Sequence, residues 1–533
     1  MTGGADTDAW SGHRPTIRHN DYSPVEPPPL GEWQPTLPVS VIIPAHGGQE
    51  KLDLTLAALA AQTYPVHLLE VIVVDDGSEP PLRLPEIAPI DTRIVPAESG
   101  GWGIGHALNT GAAVADGVLI QRLDSDMVIC REHIEAMARW HHVTDYLVTI
   151  GYKRFVELDG PSAQRMPTPQ EVYEGVRDGG LGTLFDLEAA VPSASEATIE
   201  KLNGLRASRN PYNNCTGPTH CLHRRLFHKA GGLDPAIPRG EDTEFAYRLA
   251  CQGAVFIPEP AAQAVHLGMP GQRVNRERTI RVATPYLAHR IPIRRDLRKD
   301  RGHRWLVPYV EVVLDVEGAD EETVRRAVAA AFEGTVQDVA VTLVGPWSKL
   351  TDERRPVLDD PMLDLRLLRE HFSHDERVRF ADTPSATPAP IPFRYVGPVD
   401  VPLGKRTLQR MTEAIQERRA GVVIAELPGG GTARLERTEA LSRAHLLSGT
   451  GSSLDEIIEA THGVHRAPHE AFWPPEKPKT PAGKTAAAQD GKPAKTDKDA
   501  KAPAEDGKNG TARSRKDSPG RSSLFRKLRR FSG

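Results

Sequence analysis

Two carboxylates stand one residue apart at Asp124-Ser125-Asp126, in the stretch QRLDSDMVI, directly behind the apolar run Gly117-Val118-Leu119-Ile120. Burying one unpaired carboxylate is costly, and a second of the same sign beside it costs more. In extended backbone, residues i and i+2 project to one side, so Asp124 and Asp126 converge on one point while Ser125 turns away. Two oxygen ligands on one side suit a hard divalent ion, Mn2+ or Mg2+, that keeps its other positions for water and phosphate. Such an ion turns an unfavourable acid pair into a favourable site; the bland alternative is a solvated loop after a strand. Three further groups carry similar chemistry. Asp75 and Asp76 close the apolar run VIVVDDGS. Glu241 and Asp242 open the helical pattern RGEDTEFAYRLACQG, where Phe245 and Leu249 fall at i, i+4; acids in a first turn are also stabilised by the helix dipole alone. His266, in AVHLG, ends one more apolar run and is either a ligand or a packing histidine.

The elements that would hold these residues alternate. PVSVIIPAH reads as a buried strand, and GGQEKLDLTLAALAAQTYP as an amphipathic helix with Leu52, Leu56 and Leu59 on one face. LLEVIVVDDGS and TRIVPAES are further strands, and a glycine-rich turn, GGWGIG, leads into the helix HALNTGAAVADG. Strands alternating with helices mean an α/β fold with a mostly parallel sheet flanked by helices, which binds ligands at the carboxyl ends of its strands. Asp75, Asp76, Asp124 and Asp126 all sit at such ends and are expected in one crevice. Residues 153–212 are interrupted by Ala, Gly and Pro and are expected to insert over that crevice. Residues 306–463 form a faint internal repeat. YVEVVLDVEGADEETVRRAVAAAFEGTVQDVAVTLVGPWS runs parallel to VSVIIPAHGGQEKLDLTLAALAAQTYPVHLLEVIVVDDGS. Gly345-Pro346 stand where the first copy has Asp75-Asp76, and Glu426-Leu427-Pro428 are matched to Asp124-Ser125-Asp126.

With 533 residues, 39% hydrophobic and 26% charged, the chain has material for two or three cores. Residues 1–36 are Pro-rich, without an apolar leader run, and are expected to be an extended lead-in. No window approaches the roughly 20 apolar residues of a membrane helix. Four cysteines in so long a chain make no disulfide framework, and the lone C-x5-C of Cys215 and Cys221 makes no zinc site. A cytoplasmic protein is expected. The net charge of -5 hides a Lys/Arg-rich tail on an acidic body. That distribution points away from nucleic acid and towards attachment to an anionic surface. Beyond Pro474 the composition cannot bury a core, so 474–533 is expected to be a disordered basic tail.

Four segments in this order and spacing resemble the inverting family 2 glycosyltransferases of the GT-A fold, over residues of about 38 to 270. VSVIIPAHGG looks like the opening strand and nucleotide loop, and VIVVDDGS like the nucleotide-base strand. ALNTGAAVADGVLIQRLDSDM looks like the helix and D-x-D strand, and RGEDTEFAYRL like the segment with the catalytic base. The resemblance implies that Pro44, His46 and Asp76 line a uracil and ribose pocket, with Asp75 helping or only capping the turn. It implies that Asp124 meets the ribose and metal side of the donor and that Asp126 and His266 bind Mn2+ or Mg2+. Asp242 would be the base, with Glu241 orienting base or acceptor. The donor would be a nucleotide-sugar, a UDP-sugar by this likeness, and the acceptor a hydroxyl of a glycan or lipid-linked envelope molecule. The implied layout is a GT-A domain over 37–300, a degenerate GT-A-like α/β domain over 306–463, and the tail. Two departures stand out. The first loop reads PAHGG where the family often has tyrosine and asparagine, which would leave base stacking to His46. No Q-x-x-R-W stretch follows GED, which argues against a cellulose-synthase-like processive enzyme.

Other classes fit less well. GGWGIG is not in the first strand-to-helix turn, where a dinucleotide fingerprint belongs. A nucleotidyltransferase shares such a sheet and a D-x-D, but GED with His266 disfavours it. A non-catalytic sugar- or nucleotide-binding scaffold would not need the acids of the first domain. The chain closes with SSLFRKLRRFSG, in which Leu524, Leu528 and Phe531 fall at i, i+4 and i+7 among four cations. As a helix this suits peripheral contact with an anionic membrane face. Weak, salt-sensitive binding to anionic liposomes is expected, and a chain truncated at Pro474 should lose it in a flotation assay.

Overall fold

The computed structural model of the chain describes residue 10 and residues 12–159, 163–269, 274–300, 302–449 and 451–474. The basic tail and its amphipathic end lie outside the described residues. The first sheet has nine strands: β1 Val39–Ala45, β2 Leu69–Asp75, β3 Thr92–Pro96, β4 Leu119–Leu123, β5 Met127–Ile129, β6 Leu147–Val156, β7 Val191–Pro192, β8 Thr219–His223 and β9 Val255–Leu267. Their order is β3-β2-β1-β4-β8-β6-β9-β5, with β7 beside β6. β3, β2, β1, β4, β6 and β9 run one way; β8 is threaded antiparallel between β4 and β6, and the short β5 and β7 also oppose their neighbours. The connections from β1 go out to β2 and then back past it to β4. The carboxyl ends of β1, β2 and β4 therefore flank the point where the winding reverses, which is where open α/β sheets bind ligands.

The sheet is mostly parallel because its connections are helical, and both faces are covered. On one face the helix Gln49–Ala60 buries Leu52, Leu56 and Leu59, as its spacing predicts, and also Leu54, Ala57 and Ala58. On the other, the helices Ile104–Ala113 and Glu241–Cys251 bury Leu108, Phe245 and Leu249. Residues 153–212, expected as an insertion over the crevice, also feed both cores, and at their start Phe155 packs on His266 with ring centroids 5.1 Å apart. They wrap round the sheet: Val172, Val176, Leu181 and Phe185 join the core on the Gln49–Ala60 side, while Ile199, Leu205 and Tyr212 join the other. Their apolar residues are too many to leave in a solvated cover, and burying each is worth roughly 1.5–3 kcal/mol.

A second sheet of seven strands follows: β10 Val310–Asp315, β11 Val339–Val344, β12 Val378–Ala381, β13 Phe393–Gly397, β14 Val422–Glu426, β15 Thr432–Arg437 and β16 Val464–Pro468. Its order, β12-β11-β10-β13-β15-β14-β16, repeats β3-β2-β1-β4-β8-β6-β9 strand for strand, with the same directions. Register corrects one sequence match. Val39 pairs with Leu69 and Leu119, and Val310 with Val339 and Phe393. Gly345-Pro346 do stand opposite Asp75-Asp76, but the counterpart of Asp124-Ser125-Asp126 is Pro398-Val399-Asp400. Glu426-Leu427-Pro428 instead close β14, the counterpart of β6. The mismatch arose because a lone apolar strand carries no label of its neighbours; pairing alone supplies it.

The N-terminal lead-in is extended but not free. Ile17, Asn20, Tyr22 and Val25 are buried. Asn20 exchanges two hydrogen bonds with the Phe256 backbone of β9, at 2.9 and 2.8 Å, and Arg14 pairs with Asp145 at 2.7 Å. The fully buried Arg443 guanidinium, from the helix Thr438–Leu447 beside the second sheet, donates to the carbonyls of Gly253, Ala254, Ile17 and His19. One cation thus joins the lead-in, the loop before β9 and the second sheet's helix. Arg443→Met should lower unfolding free energy by on the order of 3 kcal/mol, read from urea midpoints, because it leaves the buried carbonyls of Ile17, Gly253 and Ala254 without their donor.

Candidate active site

The Asp124-Ser125-Asp126 segment is a turn between β4 and β5 rather than a continuous strand, yet the two carboxylates still converge. Thr55, inside the first helix, fixes that turn from below: its hydroxyl donates to the Ser125 carbonyl at 3.0 Å and accepts from the Met127 amide at 3.1 Å. β9 brings His266 opposite Met127. One ligand atom from each of Asp124, Asp126 and His266 lies within 4.8 Å of the others, and all three side chains are half-buried. His266 Nδ1 lies 3.1 Å from the Gly268 carbonyl, an acceptor only, so Nδ1 carries a proton; Nε2 lies 3.5 Å from Asp126 Oδ1. Burial pushes the Asp126 carboxyl above its usual range and Asp124 adds to this, while His266 and Lys51 pull the other way. Two carboxylates and an imidazole fit a Mn2+- or Mg2+-type ion in their donor set.

The residues expected at the nucleotide lie at the ends of β1 and β2. Pro44 is buried inside β1, paired with Val74. His46 is exposed, and its Nδ1 sits 2.9 Å from the Asp76 carbonyl. The Asp76 carboxylate accepts the Gly103 amide at 2.6 Å, which ties it to the glycine-rich turn. Asp75 has both oxygens taken by the backbone amides of Ser78 and Leu82, at 2.9 and 3.0 Å. Burial alone would raise its carboxyl, but the Ser78 hydroxyl, together with those amides, outweighs it and holds the carboxyl below the usual carboxylate range. Of the two roles open to Asp75, this geometry is that of a turn cap.

Glu241 and Asp242 open the helix Glu241–Cys251. Asp242 is half-buried; its Oδ2 accepts the Gly217 amide at 2.8 Å and its Oδ1 accepts the Thr243 amide at 2.6 Å. Glu241 is buried, and burial, with Asp242 adding to it, raises its carboxyl against the pull of Arg122. Arg122 went unremarked in the sequence. It stands in β4, 2% exposed, with Nε 3.2 Å from Asp124 Oδ1 and Nη2 3.9 Å from Glu241 Oε1. One guanidinium therefore links the acid turn to the start of the GED helix. A signal existed: Gln121-Arg122 interrupt an otherwise apolar strand just before the acids, and a buried arginine demands anions.

A mostly parallel sheet thus carries an acid–acid–imidazole cluster at its carboxyl edge and a second acid pair on a helix start. Residues 40–188 match the family model described as Glycosyl transferase family 2. Chondroitin synthase of Escherichia coli is 24% identical over 359 residues, 64% of this chain and 50% of that protein. Hyaluronan synthase of Pasteurella multocida is 25% identical over 391 residues, 68% of this chain and 38% of that protein. The chain thus spans half or less of these curated relatives' length. Among solved structures, a mannosyltransferase of Pyrobaculum calidifontis in complex with GDP-Man and Mn2+ is similar at 19% identity and a TM-score of 0.32, over 50% of this chain and 66% of that one.

Arg122→Met should make stability fall more steeply between pH 5 and pH 8 than in the parent chain. A carboxyl whose folded-state pKa is raised contributes stability at low pH that is lost as pH rises through that pKa. Removing the guanidinium raises Glu241 further, so urea midpoints at the two pH values should diverge.

Proposed function

We propose that the chain is an inverting, metal-dependent glycosyltransferase that moves a sugar from a nucleotide-sugar, a UDP-sugar by the family likeness, to a hydroxyl of a glycan or lipid-linked envelope acceptor. The observation that carries this is the link from Asp124, Asp126 and His266 through Arg122 to the Glu241-Asp242 helix start. It puts a cation-binding cluster and a candidate base on one edge of one sheet. Asp124, Asp126 and His266 would hold Mn2+ or Mg2+, which when bound offsets the charge that develops on a departing nucleoside diphosphate. His46 and Asp76 would meet the nucleotide. Asp242, held at both oxygens, would take the proton of the incoming hydroxyl, and Glu241 would orient it. One base on the far face of the anomeric carbon gives a single displacement and inversion.

Residues 37–300 are the catalytic domain in this reading. Residues 306–463 keep the strand plan and lose the counterparts of Asp75, Asp76 and Asp124, which suits packing or presentation of acceptor rather than a second donor site. The names of the relatives, synthases of chondroitin and of hyaluronan, support a polysaccharide acceptor. Among the described residues no helix is long and apolar enough to cross a membrane. A cytoplasmic enzyme with peripheral contact at the inner membrane face fits the charge distribution.

Asp126→Ala should weaken metal-dependent donor binding and turnover together. Asp242→Asn should leave donor binding intact and lower transfer by roughly two to four orders of magnitude. Donor hydrolysis by water should fall with it, and EDTA should stop the reaction. Nucleotide release from a panel of nucleotide-sugars, with anomeric configuration read by NMR, checks these outcomes. Activity retained in Asp242→Asn, or undiminished by EDTA, contradicts the assignment.

A further inference from the structure

We propose that Lys153 is a positioning residue for Asp242, acting through the single peptide group between Thr216 and Gly217. This rests on the reading of Asp242 as the base. Lys153 stands on β6, 6% exposed, at a strand position where a charged side chain is costly to bury. Its ammonium donates to the Thr216 carbonyl at 3.0 Å. The N–H of that same peptide unit, on Gly217, donates to Asp242 Oδ2 at 2.8 Å. A cation and an anion therefore grip opposite ends of one amide dipole. The ammonium polarises the carbonyl, which makes the N–H a better donor to the carboxylate.

The backbone is built for this contact. Gly217 has φ +88°, in the left-handed region, and a Cβ there would lie 3.3 Å from the Lys153 Nζ. A larger residue would be strained and would crowd the ammonium. With Thr243 holding Oδ1 and Gly217 holding Oδ2, the plane of the carboxylate is fixed. Burial pushes the Lys153 ammonium below its usual value, and Asp242 and Asp124 act against that push. The consequence is that Lys153 governs how well the base is aimed and not how tightly the donor is held.

The test is a double-mutant cycle in the full chain, with UDP and Mn2+ as the binding probe. Lys153→Met should lower kcat by about tenfold to hundredfold while the Kd for UDP and the donor KM change less than about twofold. In the Asp242→Asn background the same substitution should cost nothing further, because a residue that works through another adds no loss once that other is gone. A similar loss in both backgrounds, or a raised Kd for UDP, overturns the proposal and makes Lys153 a donor contact instead. An active Asp242→Asn single variant signals the separate failure of the base assignment. Should Lys153→Met not fold, Lys153→Gln runs the same cycle, since it removes the charge and keeps a donor.

Discussion

Like charges crowd one edge of the first sheet, and the rest of the site follows from how that repulsion is met. Asp124, Asp126, Glu241 and Asp242 converge there, and Glu241 is buried. A cluster of this kind would split apart or bind protons if left alone. Fixed cations stand beneath it: Arg122 in β4 between Asp124 and Glu241, Lys51 at 4.0 Å from Asp126, and Lys153 behind Asp242. Each is anchored by its own strand or helix, so the charges are held in place before any ligand arrives. The sheet thus supplies a frame of positive charge, and the acids are its outer layer.

Much of this was legible in residue order. The alternation of strands and helices, the turn acids Asp75 and Asp76, the D-x-D and the GED helix start were read from pattern. The repeat in 306–463 was read too, and its strand order proves the same as that of the first sheet. What stayed hidden depends on who lies beside whom. Arg122 and Lys153 look like accidental charges in apolar strands until pairing shows their partners. The threading of β8 between β4 and β6 joins segments about 70 to 100 residues apart, and no local periodicity encodes that. The same blindness misplaced the D-x-D counterpart at Glu426-Leu427-Pro428.

The duplicated sheet separates what the strand plan needs from what the chemistry needs. Both copies keep a central strand flanked by parallel partners and an antiparallel strand threaded at the same place. Only the first keeps acids at Asp75-Asp76 and at Asp124; the second has Gly345-Pro346 and Pro398 there. Arg122 corresponds in register to Val396, so the cation vanished along with the acid it served. Loss of both together is what charge balance requires, since an arginine left in a buried strand without its anions would destabilise the copy.

Arg443 gives the chain an unusual order of completion. A chain is made from its N-terminus, so residues 14–25 emerge well before the guanidinium that binds Ile17 and His19, 424 to 426 residues downstream. Contacts this distant in sequence form late, after the strands they join have paired. A nascent chain paused before residue 443 therefore holds every side chain of the candidate site while its opening segment still lacks its final partner. Translation of the second sheet doubles as the last step in assembling the first.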